Sequence, residues 1–278
     1  MLFNGVEYNI QFWQGEELGR TLAIDTETTV IPFTETPDLI TFQVFDGENL
    51  YYVDRSLVGD FLKKHVTRTL VFANAPFDVD VIEKHSKYLL KEFIENDRVF
   101  DINILYRLCG LATAGNVPRK YSLAHITKEL LGVELDKDED IRCNFADFKD
   151  LPLREIPQLF LEYGAKDVLA TYYSFIRMRL EVTKLNTNTN LSHHIQLLGA
   201  LALNRMYKNG IGFDEEKAQG LLIELNSKLE VLHAQMSAYG FVKGIKGNQQ
   251  AYNHVIEYMG INLPKTTEGD YSMKESDL

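Results

Sequence analysis

The sequence predicts an α/β domain, a mixed sheet flanked by helices, followed by an all-helical segment. Three observations carry this expectation. Four short apolar runs rich in β-branched and aromatic residues fall between residues 21 and 74. From about residue 78 onward, apolar residues recur at helical spacings of three and four. A polar break, "NTNTN" at 186–190, separates two helical stretches.

The elements follow in order. "TLAID" (21–25) is the first strand. "LITFQVFD" (39–46) and "LYYVD" (50–54) are joined by "GEN" and read as a hairpin. "SLVGDFLKKHV" places Leu57, Phe61 and Leu62 on one helical face, and "TLVFAN" (69–74) is the next strand. Three strands, a helix and a further strand make a mixed sheet with helices packed on it. "DVDVIEKHSKYLL", "INILYRLCGLA" and "YSLAHITKELLG" then read as helices, the last starting near a Ser and ending at Gly132. "ELDKDEDIRC" reads as an exposed charged loop. A long helical pattern runs from 151 to 183. Beyond the break, Asn209-Gly210 closes one helix, and Asp214 caps the next with Lys217 at its third position. No internal repeat points to a solenoid. The expected domains are 1–185 and 186–278.

Composition narrows the class. Hydrophobic residues make up 45% and charged residues 25% of 278, the balance of a soluble globular protein. The formal net charge of -11 counts against a sequence-reading DNA binder, which carries a basic patch. It counts less against a nuclease, whose metal-binding carboxylates are themselves acidic. Cys109 and Cys143 have no CxxC partner, so neither zinc nor a disulfide framework is indicated. The first residues lack a signal-peptide pattern, and no apolar run reaches the ~18 residues of a membrane span. A cytoplasmic protein without a membrane partner is expected. No phosphate-cradling glycine pattern is present. His193 and His194 are adjacent on a helix and point apart, so surface or packing roles are expected of them rather than one ligand site.

Three acidic motifs carry the chemistry. Asp25 and Glu27 are two apart in a strand, so they project from one face where the strand ends. Like charges that close repel and raise each other's pKa, which a divalent cation would relieve. "NAPFD" places Asn74 and Asp78 across a strand end and a helix start, where free N–H groups favour a carboxylate. "YGAKD" places Tyr163 and Asp167 four apart on one helical face. Four carboxylates from separate elements suit Mg²⁺ or Mn²⁺. Two such ions roughly 3.5–4 Å apart can clamp a phosphodiester, and Tyr163 is placed to orient an attacking water.

"DTET", "NAPFD" and "YGAKD" resemble, in order, the three exonuclease motifs of the DEDD superfamily, and Tyr163 resembles its DEDDy branch. The resemblance spans about 20–183. It implies a ribonuclease H-like fold, removal of nucleotides from 3′ ends, and two divalent ions held by Asp25, Glu27, Asp78 and Asp167. Asp25 would bridge both ions, Glu27 and Asp167 would complete one site, and Asp78 would serve the other. It also implies contacts to the terminal nucleotide from Thr26, Asn74 and Phe77, an apolar wedge at Ile31 and a candidate phosphate contact at Arg119. "YSLAHITKELLGVELDK" resembles both ribonuclease D-like enzymes and the proofreading domain of family A DNA polymerases. "LALNRMYKNGIGFD", "KLEVLHAQM" and the stretch from Gly247 resemble the opening of the polymerase portion and its thumb. The expected substrate is therefore single-stranded DNA 3′ ends, in a proofreading role. No palm or fingers motif follows, so no polymerisation is expected from this chain alone, and a separate palm-and-fingers polypeptide is the expected partner. An exoribonuclease of the ribonuclease D type and a non-catalytic assembly module are the rival readings.

Overall fold

The computed structural model describes residues 1–31, 35–87, 90–135, 144–185, 189–241 and 248–272. Eight strands are described: β1 (Leu2–Phe3), β2 (Val6–Glu7), β3 (Ile10–Phe12), β4 (Thr21–Thr28), β5 (Leu39–Phe45), β6 (Leu50–Val53), β7 (Thr69–Phe72) and β8 (Val99–Asp101). The first two form a small antiparallel ribbon. The others form one sheet in the order β3-β6-β5-β4-β7-β8. β5 runs antiparallel to both neighbours, whereas β7 runs parallel to β4 and β8. The sheet is mixed, as expected. The expected hairpin is β5–β6, and Asp46 closes it by accepting from the backbone N–H groups of Glu48 and Asn49.

Helices cover both faces. They are α1 (Val58–Lys64), α2 (Ala75–Ser86), α3 (Lys91–Glu95), α4 (Ile102–Ala114), α5 (Leu123–Leu131), α6 (Gln158–Leu185) and α7 (Thr189–Asn209). Every residue of β5 is buried, as befits a strand covered on both sides. Strand alternation sorts the core into two layers. Leu22, Ile24, Phe42 and Val44 pack with Phe61 of α1 and Val79 and Ile82 of α2. Ala23, Phe45 and Tyr52 pack on the opposite face with Ile126 of α5 and Leu161, Ala165 and Leu169 of α6. Asp25 and Glu27 continue the Ala23 row and so face α6, while Thr26 continues the Ile24 row toward α2.

Two strands that complete the sheet edges escape a periodicity reading. β3 joins β6 in parallel, and β8 is a three-residue strand embedded between helices. The expected caps are present. Ser122 accepts from the His125 N–H at the start of α5, and Gly132 ends that helix at φ +70°. Residues 136–143 of the expected charged loop, Cys143 among them, lie outside the described residues, as do 186–188 of the polar break.

The chain divides into two compact units, Met1–Gly210 and Ile211–Leu278. The expected boundary at 185 is the end of α6, whereas the first unit continues through α7. That helix packs on α2, α4 and β8. Its Leu197 and Leu201 are buried in the core. His193 is fully buried, stacks on Phe100 at 4.9 Å and accepts from the Asp101 N–H at 2.9 Å, a packing role. The second unit holds α8 (Glu215–Ser237) and α9 (Asn248–Met259). Asp214 caps α8 through the Lys217 N–H, as expected. Asn253 ties α9 to the Asp270 carboxylate and the Tyr271 N–H. Among the described residues no helix is long and apolar enough to cross a membrane.

Candidate active site

The three acidic motifs meet in one cavity of about 560 Å³. Asp25, Thr26 and Glu27 reach it from the end of β4, Asn74, Phe77 and Asp78 from the β7–α2 turn, and Tyr163 and Asp167 from α6. Ile31 lines it as well and is 56% exposed.

The second motif shows how local structure builds the site. The chain turns from β7 into α2 through Asn74, whose φ of +76° is left-handed. Such a conformation in a residue other than glycine costs about 1–3 kcal/mol and persists only where the surroundings impose it. Here Asp101 imposes it. This buried carboxylate ends β8 and caps α4 through the N–H groups of Asn103 and Ile104. It also accepts from the Ala75 N–H at 2.8 Å, which pins the start of α2. The turn delivers Asp78, 2% exposed, to the cavity, where it accepts from the Thr26 hydroxyl at 2.7 Å. Asp78 is therefore more than a helix cap. Thr26, named above as a nucleotide contact, is buried and directs its hydroxyl to Asp78.

The first motif meets the third across the sheet face. Asp25 accepts from the Gln43 amide at 2.7 Å. Tyr163 lines the cavity and packs its ring against buried Phe145, 6.1 Å between centroids. Burial raises the Asp25 pKa well above the carboxylate range. Repulsion from Asp78, Glu27 and Asp167 adds to this, and the Gln43 hydrogen bond opposes it. Asp78 is pushed up to about 8 by burial, against the hydrogen bonds from Thr26. Burial, and after it Glu27, Asp25 and Asp167, raise the Tyr52 phenol.

This charge crowding is what a cation would relieve. The donor set is all carboxylate oxygen, the chemistry of Mg²⁺ or Mn²⁺ rather than of a softer ion. Among the described residues no three acidic, His or Cys side chains are already closed into a ligand group. The four carboxylates line the same cavity. The residues fit a divalent cation by the chemistry of their donors, which line one cavity.

Arg119 stands apart. It is exposed and lines a neighbouring cavity of about 430 Å³ with Lys120, Tyr121, Ser122 and His125. Asn103 lines both cavities. Asn103, Leu123, Asp101 and Gln43 are site residues that the motif reading missed. Gln43 alone had a visible signal, as the one amide in "LITFQVF".

Solved structures are similar to this chain. Escherichia coli RNase D, an exoribonuclease involved in structured RNA processing, is 25% identical with a TM-score of 0.47, over 68% of this chain and 44% of that one. The catalytic core of RRP6 from Trypanosoma brucei, as a variant, is 18% identical with a TM-score of 0.50, over 70% and 52%. A nuclease in its apo form is 17% identical with a TM-score of 0.52, over 73% and 95%. The chain thus spans about half the length of the first two. No curated protein matches it. The fold is ribonuclease H-like, a mixed six-stranded sheet between helices. The family model described as 3′-5′ exonuclease matches residues 8–183, the region that holds all three acidic motifs. The chain belongs to this family of 3′-5′ exonucleases.

Proposed function

We propose that the chain is a two-metal 3′-5′ exodeoxyribonuclease of the DEDDy branch. It removes 5′-mononucleotides from single-stranded DNA 3′ ends as the proofreading part of a family A DNA polymerase. The convergence of Asp25, Glu27, Asp78, Asp167 and Tyr163 on one cavity carries this reading. Divalent ions bound there supply charge neutralisation for the phosphodiester and an acidified water. The chain's own residues do the rest. The four carboxylates would hold the ions, and the Tyr163 phenol would orient the attacking water. Ile31 and Phe77 present an apolar surface to the terminal base, and Asn74, exposed at the turn, faces the terminal nucleotide. A frayed single strand offers its bases to such a surface, and a paired end does not. Arg119 and Lys120 in the adjoining cavity would receive a phosphate further up the strand.

Support for DNA comes from the matching family model, which is named for the DNA polymerase A exonuclease. The polymerase-like segment after residue 200 supports a proofreading role with a palm-and-fingers polypeptide as partner. In the second unit, α8 buries none of its residues. Its Leu222, Leu225, Leu229 and Leu232 recur at spacings of three, four and three and are all exposed, as a helix awaiting a partner would be. The test is degradation of 5′-labelled DNA and RNA of one sequence, side by side with Mg²⁺. Faster shortening of DNA from its 3′ end is expected. A clear preference for RNA would overturn the DNA assignment and leave the exonuclease in place.

A further inference from the structure

We propose that Gln43 is a positioning residue that aligns the first and third acidic motifs on each other. The proposal rests on the metal-dependent reading of the cavity. Asp25 of β4, Gln43 of β5 and Tyr52 of β6 are consecutive partners in register across the sheet. They form one row on the face that α6 crosses.

Gln43 is 0% exposed. A carboxamide without water must place both its polar ends on protein groups. Its oxygen accepts from the Thr41 hydroxyl at 3.0 Å, which orients the amide. Its nitrogen then donates to Asp25 Oδ2 at 2.7 Å. The donor is neutral. An Arg or Lys there would neutralise Asp25 and repel a cation, whereas the amide holds one carboxylate oxygen and leaves the other to the cavity.

The same amide supports α6. A Cβ on Gly164 would lie 2.7 Å from Gln43 Nε2, closer than packed atoms come, and 3.1 Å from Tyr52 Oη, a tight contact. The α6 backbone therefore rests directly on the Gln43–Tyr52 pair. Tyr52 also donates to the Leu161 carbonyl at 2.5 Å near the start of that helix. Tyr163 and Asp167 flank this contact. One side chain thus orients Asp25 and sets the height from which Asp167 approaches it.

The test is Mn²⁺ binding to the full chain, followed by electron paramagnetic resonance without nucleic acid. Wild type is compared with Gln43→Met, Thr41→Val and Gly164→Ala, and circular dichroism checks the fold of each. Gln43→Met keeps the length of the side chain and removes the donor. It should weaken Mn²⁺ binding by about tenfold, the lower end of the range for lost partners of metal ligands. Gly164→Ala should weaken it as well, by lifting Asp167. Thr41→Val should weaken it less, by freeing the amide. Folded Gln43→Met with wild-type affinity would overturn the proposal. If Gln43→Met does not fold, an undiminished Thr41→Val would overturn it. Wild-type protein that binds no Mn²⁺ would remove the metal-dependent reading and this proposal together, before any variant is compared.

Discussion

Asp78 illustrates what a single buried carboxylate does to the whole protein. In the unfolded chain it ionises near 3.8, and in the fold burial delays this to about 8. Between those values the folded state retains a proton that the unfolded state has released. Stability contributed by the protonated group is therefore complete below 3.8 and falls as pH rises through 8. Asp25, raised for the same reason, acts in the same direction. His193 acts oppositely. Burial pulls its pKa down to about 4, so its contribution is present above 6.5 and is lost as pH falls toward 4. Comparison with Asp78→Asn isolates the carboxylate. In EDTA, the wild-type melting temperature should drop between pH 5 and pH 8.5, and the variant should drop less. One kcal/mol corresponds to about 2–4 °C at this size, so the difference is measurable by differential scanning fluorimetry. Added Mg²⁺ should raise the wild-type value most at pH 8.5, and parallel curves for the two proteins would contradict the account.

At the scale of elements, α7 is the decisive case. It lies beyond the matched family region, yet it is built into the first unit. Asn204 donates to the Pro76 carbonyl at 3.0 Å and to the Asp80 carboxylate. Lys208 pairs with Asp80 and donates to Thr36 Oγ1. Asn204 and Lys208 thus tie α7 to α2, which carries Asp78, and to Thr36. Leu197→Ala should cost about 2–5 kcal/mol, the usual range for a buried Leu. Trp13 is the only tryptophan and is buried in the same core layer as Leu197. Its fluorescence during urea unfolding would report the loss, and an unmoved Trp13 transition would show α7 to be separate. The polar break before α7 reads as a domain edge in the sequence because composition does not say where the next helix docks. β8 was hidden for a related reason, since three apolar residues ahead of a helix have no period of their own. The acidic motifs were legible because the spacing of two in a strand and four in a helix sets a shared face directly. Gln43 and Asp101 were not, because their roles come from pairing across the sheet and between helix starts, distant in sequence.

The whole molecule divides into two compact units at residue 210. Residues 1–210 contain every residue assigned to the cavity and form one compact unit. Expressed alone, they should fold with a cooperative thermal transition, and residues 1–185 should lose it, since Leu197, Leu201 and His193 would leave the core exposed. A cooperative transition in residues 1–185 would return the boundary to the polar break. The central claim is that four carboxylates from three separate elements act as one metal-dependent site. Its most direct test is degradation of a 5′-labelled single-stranded DNA by the full chain with Mg²⁺, with Mn²⁺ and with EDTA, beside Asp167→Ala. The account predicts a ladder that shortens from the 3′ end with either metal and disappears in EDTA. The variant should be slower by at least about a hundredfold, since a ligand matters no less than the groups that support it. Folded protein that yields no ladder with either metal, or a ladder that survives Asp167→Ala, would contradict it.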